Sequence, residues 1–327
     1  MNPRIRTVSI FAAAAMLSLG SPQAQAEAFP SRPVRIITPS SAGSGLDAAL
    51  RTLAELLGKK WGQPVIIDNK PGGNGFIAIA GFKQGRPDGH ELIAPDSSQI
   101  VTHAHTFHKL PYDPRKDFEP IRPILITDFY ITVAKDSPYN SLADIVAAAK
   151  AQPGKLTYGS WFVGSPGHLG ALRLESQTGI KMTHIPYKEM PQLYVGVSNK
   201  EVDWALGSAA SAGPMEKAGK IKFIGLGAKK RSSIYPEVPS TDESPATIGY
   251  ENTAWVGLFA PPGTPKAIKE KISADVREAL AAKAVQDRYR TLGYDVMDLG
   301  PDQFAERIRA DDAVWKKVIQ EAGLKLD

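Results

Sequence analysis

The chain has 327 residues, 43% of them hydrophobic and 22% charged, with a net charge of +5 and no cysteine. That length and composition suit a globular protein with two cored domains and exclude a disordered chain. The lack of cysteine excludes disulfides, thiolate metal sites and a lipid-anchored N-terminal Cys, and the lack of clustered Lys/Arg runs excludes a nucleic-acid footprint.

Arg4 and Arg6 precede an apolar run from Val8 to Leu19 and small residues ending Ala24-Gln25-Ala26, the pattern of a secretory signal peptide over residues 1–26. Its run is too short to anchor in a bilayer, and no later segment reaches 18 uninterrupted apolar residues, so an exported, soluble, periplasmic product is expected. Removing this segment takes away two arginines and no acid, which leaves a charge of +3. Such a mild excess helps steer small anions.

Val34, Ile36 and Ile37 form an apolar strand that enters a loop, Ser40-Ser41-Ala42-Gly43-Ser44-Gly45. Leu46, Leu50, Leu53, Ala54 and Leu57 then fall on one face of a helix. Ser44 with Asp47 three residues later reads as a capping box. The loop therefore surrounds a helix start, where unpartnered N–H groups and the positive dipole end suit an anion, here a carboxylate.

Gly43, Gly45 and Ala48 also fit the dinucleotide pattern G-x-G-x-x-A, with Asp68 at the end of the next strand, Val65–Asp68. Five residues, Thr38 to Ala42 with Pro39 among them, separate the strand ending at Ile37 from Gly43, however, and no P-loop lysine follows. Pro71-Gly72-Gly73-Asn74-Gly75 is a second glycine-rich loop, with Gly72 and Gly73 bordering the site, before a helical stretch at Phe76–Phe82. A strand at Glu91–Ala94 ends at Asp96-Ser97-Ser98, which places Ser97 and Ser98 where open α/β sheets bind ligands.

His103, His105 and His108 invite a metal reading, but on a helix His103 and His105 point to nearly opposite sides. The apolar run Ile124–Val133 precedes a helix capped by Ser141 and Asp144. A second strand-loop-helix unit follows: Leu156–Tyr158, then Gly159 to Gly167, then a helix beginning near His168 and Leu169. Ser160, Trp161, Phe162, Gly164, Ser165, Gly167 and His168 line this second anion-ready start. Ser165 and His168 do not form a G-x-S-x-G elbow and lack an orienting acid, which argues against a hydrolase triad.

Strands are expected at Met182–Tyr187, Glu201–Ala205 and Ile221–Leu226 in βα rhythm, and a long apolar strand at Ala254–Ala260. Tyr187 and Asp203 join the candidate ligand contacts from this lobe. Thr264 is expected to cap a helix with Pro265 at its first position. Helices at Val285–Leu292 and on the Phe304, Ile308, Trp315, Ile319 stripe close the chain.

Taken together, several segments resemble the Bug family, the periplasmic substrate-binding receptors of tripartite tricarboxylate transporters. They are Phe29-Pro30-Ser31-Arg32-Pro33-Val34-Arg35-Ile36-Ile37, Trp61-Gly62-Gln63-Pro64-Val65, Asn69-Lys70-Pro71-Gly72-Gly73-Asn74-Gly75, Pro87-Asp88-Gly89, Pro111-Tyr112-Asp113-Pro114, Gly164-Ser165-Pro166-Gly167-His168-Leu169, Ile185-Pro186-Tyr187-Lys188 and Phe259-Ala260-Pro261-Pro262-Gly263-Thr264-Pro265. The resemblance covers nearly all of the chain after residue 26.

It implies a fold of the type II periplasmic binding-protein kind: two α/β lobes joined by two crossing strands, at Ile124–Val133 and Ala254–Ala260, with the ligand cleft between them. Lobe 1 is then residues 27–126 plus 254–327 and lobe 2 residues 127–253. It also implies a carboxylate held by backbone amides and waters of the two Gly/Ser loops, delivery to the membrane components of such a transporter, a monomer, and neither cofactor, metal nor catalysis. The family usually has Thr before the helix-start Asp and small residues in the second loop. Here Leu46, Trp161 and Phe162 stand there, offering apolar area for a flat or long ligand such as an aromatic dicarboxylate, terephthalate for example. Glu189 also replaces a usual glycine. The competing reading is an exported enzyme, either a hydrolase around Ser165 and His168 or a dinucleotide-dependent oxidoreductase at Gly43 and Gly45.

Overall fold

The computed structural model describes residues 29–326, so the expected signal peptide lies outside the described residues. In chain order the strands are β1 (Val34–Thr38), β2 (Val65–Asn69), β3 (Glu91–Ile93), β4 (Glu119–Ala134), β5 (Thr157–Ser160), β6 (Thr183–Pro186), β7 (Trp204–Ser208), β8 (Ile221–Leu226) and β9 (Thr253–Ala260). The helices are α1 (Gly45–Trp61), α2 (Phe76–Phe82), α3 (His103–Thr106), α4 (Leu142–Ala151), α5 (Pro166–Thr178), α6 (Met190–Ser198), α7 (Ala209–Lys217), α8 (Lys266–Ala281), α9 (Lys283–Thr291) and α10 (Pro301–Glu321).

In lobe 1, β1 lies between β2 and β3 and parallel to both, and β9 pairs antiparallel with β3. In lobe 2, β5 lies between β6 and β7 and parallel to both. Strand β4 joins the lobes: it pairs with β9 from Glu119 to Asp128, then with β7 from Phe129 and with β8 from Tyr130.

The β4 strand begins five residues before the expected Ile124. Pro120 and Pro123 look like strand breakers, yet both sit where the β4/β9 register shifts, so the ladder does not need their missing N–H groups. Strand β7 begins at Trp204 rather than Glu201, because Lys200 takes a positive φ and the Glu201 amide donates to Gly196 O, closing helix α6. Helix α5 starts at Pro166, two residues before the expected His168, with Ser165 as its cap. Thr264 does not cap α8: its hydroxyl donates to Pro261 O and the helix starts after Pro265.

The core follows the helical stripes. Leu50, Leu53 and Leu57 of α1 are buried with Val34, Ile36 and Leu258 on one face of the lobe 1 sheet, together with α8 and α9. The other face packs α2 and α10 and includes Leu169 of α5. Arg173 of α5 lies 5.7 Å over the Trp315 ring of α10, and Ser176 donates to Glu321, so α5 and α10 are tied together. Lobe 2 is built on Ile131, Tyr158, Leu174, Leu193 and Trp204.

Candidate ligand-binding site

The two Gly/Ser loops have the same construction. Gly43 and Gly164 adopt left-handed φ values of 79° and 84°. The serine after each, Ser44 or Ser165, caps its helix by accepting from the amide three residues on, at 3.2 Å in both loops. That third residue turns back onto the glycine: Asp47 Oδ2 accepts from Gly43 N at 2.8 Å, and His168 Nδ1 from Gly164 N at 2.9 Å.

The capping box expected at Ser44 is thus half formed, because the Asp47 carboxylate takes the Gly43 amide and not the Ser44 amide. Burial pushes the Asp47 carboxyl up, but Arg51, the Gly43 amide and Asn69 outweigh it and hold the group below the usual range. The His168 imidazole is buried and stacks on His184 with centroids 4.1 Å apart. Burial, with repulsion from His184, lowers its pKa to about 4, which keeps Nδ1 free to accept.

A cavity of about 580 Å³ opens between the lobes, and a smaller one of about 180 Å³ adjoins it. The two share Asp96, Ser98, Thr127, Pro166, Ala254 and Tyr294. The first turn of α1 contributes Leu46 to the smaller compartment, and the second loop contributes Trp161, Phe162 and Gly164 to the larger. A third capped helix start, α7, lines the larger compartment with Ser208 and Ala210, the Ser208 hydroxyl accepting from Ser211 N at 3.2 Å. Three positive helix ends therefore border the cavity. A larger depression of about 990 Å³ between α8 and α10 lies on the outer side of lobe 1, and its basic and acidic side chains are mixed.

The aromatics of loop 2 divide. Trp161 is buried among lobe 2 core residues, stacked on Phe129 at 5.9 Å, with one edge on the cavity. Gly167 seats it, since a Cβ there would lie 2.6 Å from the indole. Phe162 is 54% exposed and lines the same compartment. Gly45 makes room for Tyr294, whose hydroxyl would lie 3.0 Å from a Cβ.

The remaining candidates support the walls. Ser40 O and Asp47 both accept from Asn69 Nδ2, and Ser41 O accepts from Ser44 N. The buried Ser160 hydroxyl donates to Phe162 O and lies 2.8 Å from His184 Nε2. Tyr187 packs between β5 and α6, against Gly159 and Gly196. Asp203 accepts from the Thr157 amide and hydroxyl, joining the starts of β5 and β7. Ser98, not Ser97, is among the lining residues, and from the second glycine-rich loop it is Asn74 rather than Gly72 or Gly73.

The sequence reading missed Asp96, Gln99, Thr127, Phe129, Ser208, Tyr294 and Leu326 as cavity residues. Ser208 carried a readable signal, a strand followed by a Ser-x-x-Ser cap. Thr127 and Phe129 had the period-2 spacing of one strand face. Tyr294 and Leu326 carried none. Leu326 reaches the cavity because its amide donates to Thr106 O at 2.6 Å, beside Phe107.

The competing chemistries find little in these distances. His103 Nδ1 lies 3.2 Å from the Tyr112 hydroxyl, whereas His105 Nε2 lies 2.7 Å from Asp312, so the two rings serve different partners. The Ser165 hydroxyl meets the His168 amide, and the His168 ring nitrogen is turned to Gly164. Asp68 pairs with Arg35 on β1.

Residues 49–324 match the family described as tripartite tricarboxylate transporter family receptor. The chain belongs to this family. A UPF0065 protein of Bordetella pertussis is 32% identical over 326 residues, covering 98% of this chain and 97% of that protein. Among solved structures, an R. palustris protein with adipate superposes with a TM-score of 0.74 at 28% identity, covering 91% of this chain and all of the other. MatC from Rhodopseudomonas palustris with bound malate gives 0.70 at 28% identity, covering 89% and 100%. The receptor is therefore a solute-binding protein of the periplasmic, two-lobe kind, whose family binds carboxylates and works with tripartite transporters.

Proposed function

We propose that this receptor is exported to the periplasm, captures an organic acid between its lobes as a monomer without catalysing a reaction, and delivers it to the membrane components of a tripartite transporter. The observation that carries this reading is the convergence of three serine-capped helix starts on two adjoining interlobe compartments, α5 and α7 on the larger and α1, through Leu46, on the smaller. Helix ends hold an anion with backbone N–H groups and dipole and need no cationic side chain. The adipate and malate of the two neighbours support a carboxylate.

The body of the ligand lies in the larger compartment, where Phe107, Phe129, Trp161 and Phe162 provide apolar surface. An aromatic or long-chain acid suits these walls better than a compact one, and terephthalate is one such acid. The ligand carboxylate meets loops 1 and 2, and the lobes close on it about β4 near Asp128, with residues 27–126 and 254–327 moving against 127–253.

A calorimetric and thermal-shift screen of aliphatic and aromatic mono-, di- and tricarboxylates tests the reading. Saturation at 100 times Kd adds about 2.7 kcal/mol of stability. The scattering radius should fall on saturation. A panel without a single saturable acid, or turnover of one, overturns the proposal.

A further inference from the structure

The wall shared by the two compartments holds Asp96, Ser98, Thr127 and Tyr294. Among the described residues lining either compartment there is no lysine or arginine, and Asp96 is the sole carboxylate. His103 does not offset it: burial lowers its pKa to about 4 even though Asp96 pulls the other way. The cavity thus presents helix ends that favour an anion together with one acidic side chain, Asp96.

Asp96 is only half engaged. Its Oδ1 accepts from Ser98 N at 2.7 Å, and no other described residue donates to the carboxylate. An ionised carboxylate accepts through two oxygens, and closing the lobes on a ligand removes water from the free one. A ligand that offers nothing but carboxylates and hydrocarbon leaves that oxygen desolvated and unpaired, or repels it. A donor group on the ligand satisfies it with a charge-assisted hydrogen bond.

We propose that the ligand is a carboxylic acid carrying an amino or hydroxyl substituent, and that Asp96 selects it by accepting that substituent's hydrogen bond. This rests on the carboxylate reading above and narrows it. The carboxylate sits at the helix starts and the donor at the shared wall. An ammonium group satisfies the wall better than a hydroxyl, because it offsets the Asp96 carboxylate and makes the stronger, charge-assisted hydrogen bond.

The test is calorimetry with acids that differ only in the donor: 3-phenylpropionate, 3-phenyllactate and phenylalanine, and in parallel hexanoate, 2-hydroxyhexanoate and norleucine. Terephthalate and adipate serve as dicarboxylates without a donor. In at least one series the wild-type receptor should bind a donor-bearing member tenfold or more tighter than its parent acid. Asp96→Asn keeps an oxygen for Ser98 N but loses the charge, and should erase most of that preference while improving the dicarboxylates. Parent acids or dicarboxylates that bind as tightly as the substituted ones overturn this inference and leave the proposed function standing. Folded receptor that binds no acid of the whole panel overturns both. The wild-type series decides the matter even where Asp96→Asn does not fold.

Discussion

Asp47 and His168 do the same work in the two lobes: each sits three residues after a capping serine and accepts the amide hydrogen of a left-handed glycine, Gly43 or Gly164. One acceptor is an anion held by Arg51 and Asn69, and the other is a neutral imidazole held by burial. The two loops should therefore respond differently to pH.

The His168 bond is sensitive to acid. Its folded pKa of about 4 lies below the ordinary histidine value of about 6.5, so its contribution is present above about 6.5 and is lost as pH falls towards 4. Over that window His168→Asn, which retains a side-chain acceptor, should lose less stability than wild type in denaturant titrations. Parallel pH dependence in the two proteins would show that His168 is not the acid-labile group.

Asp128 has the opposite sign. It lies where β4 leaves β9 for β7, and burial, then Asp295 and Glu251, raise its pKa to about 7 against the opposing pull of Arg307. A raised carboxyl contributes stability below the unfolded value near 4 that is lost as pH rises through 7. Asp128→Asn should therefore stabilise the receptor at pH 8 more than at pH 5. An equal effect at both, measured by chemical denaturation, refutes the assignment.

Gly43→Val and Gly164→Val place a β-branched residue at left-handed φ, at a cost on the order of 1–3 kcal/mol. At Gly164 the new Cβ also meets Leu326 at 3.0 Å, whereas at Gly43 it meets nothing within 4 Å. Both should weaken a bound acid at least tenfold in calorimetry, with Gly164→Val the less stable. Wild-type affinity in both removes the loops from the site.

Trp161 and Phe162 should separate folding from binding. Trp161→Ala empties a core position and should cost about 3–5 kcal/mol. Phe162 is 54% exposed, so Phe162→Ala should alter the melting temperature little yet weaken an aromatic acid several-fold and leave a short aliphatic one unchanged. Equal loss for both ligand types assigns Phe162 a general packing role.

Two of the three helix starts at the cleft, α1 and α5, and the strands before them, were legible in the residues themselves. Hydrophobic period, serine caps and glycines act over four to eleven residues, so Val34–Leu57 specifies strand, loop and helix with no help from the rest of the chain. The order of short motifs also pointed to the family that residues 49–324 match. Three-dimensional packing decided what each polar group faces. Asp47, Ser160 and Asp203 spend their hydrogen bonds inside the walls, whereas Asp96, Ser208, Tyr294 and Leu326, drawn from four distant segments, meet at the cavity. Local pattern fixes which backbone conformation a segment prefers. The side-chain partners of a folded chain depend on sheet order and lobe docking, and those contacts join residues that are far apart in sequence.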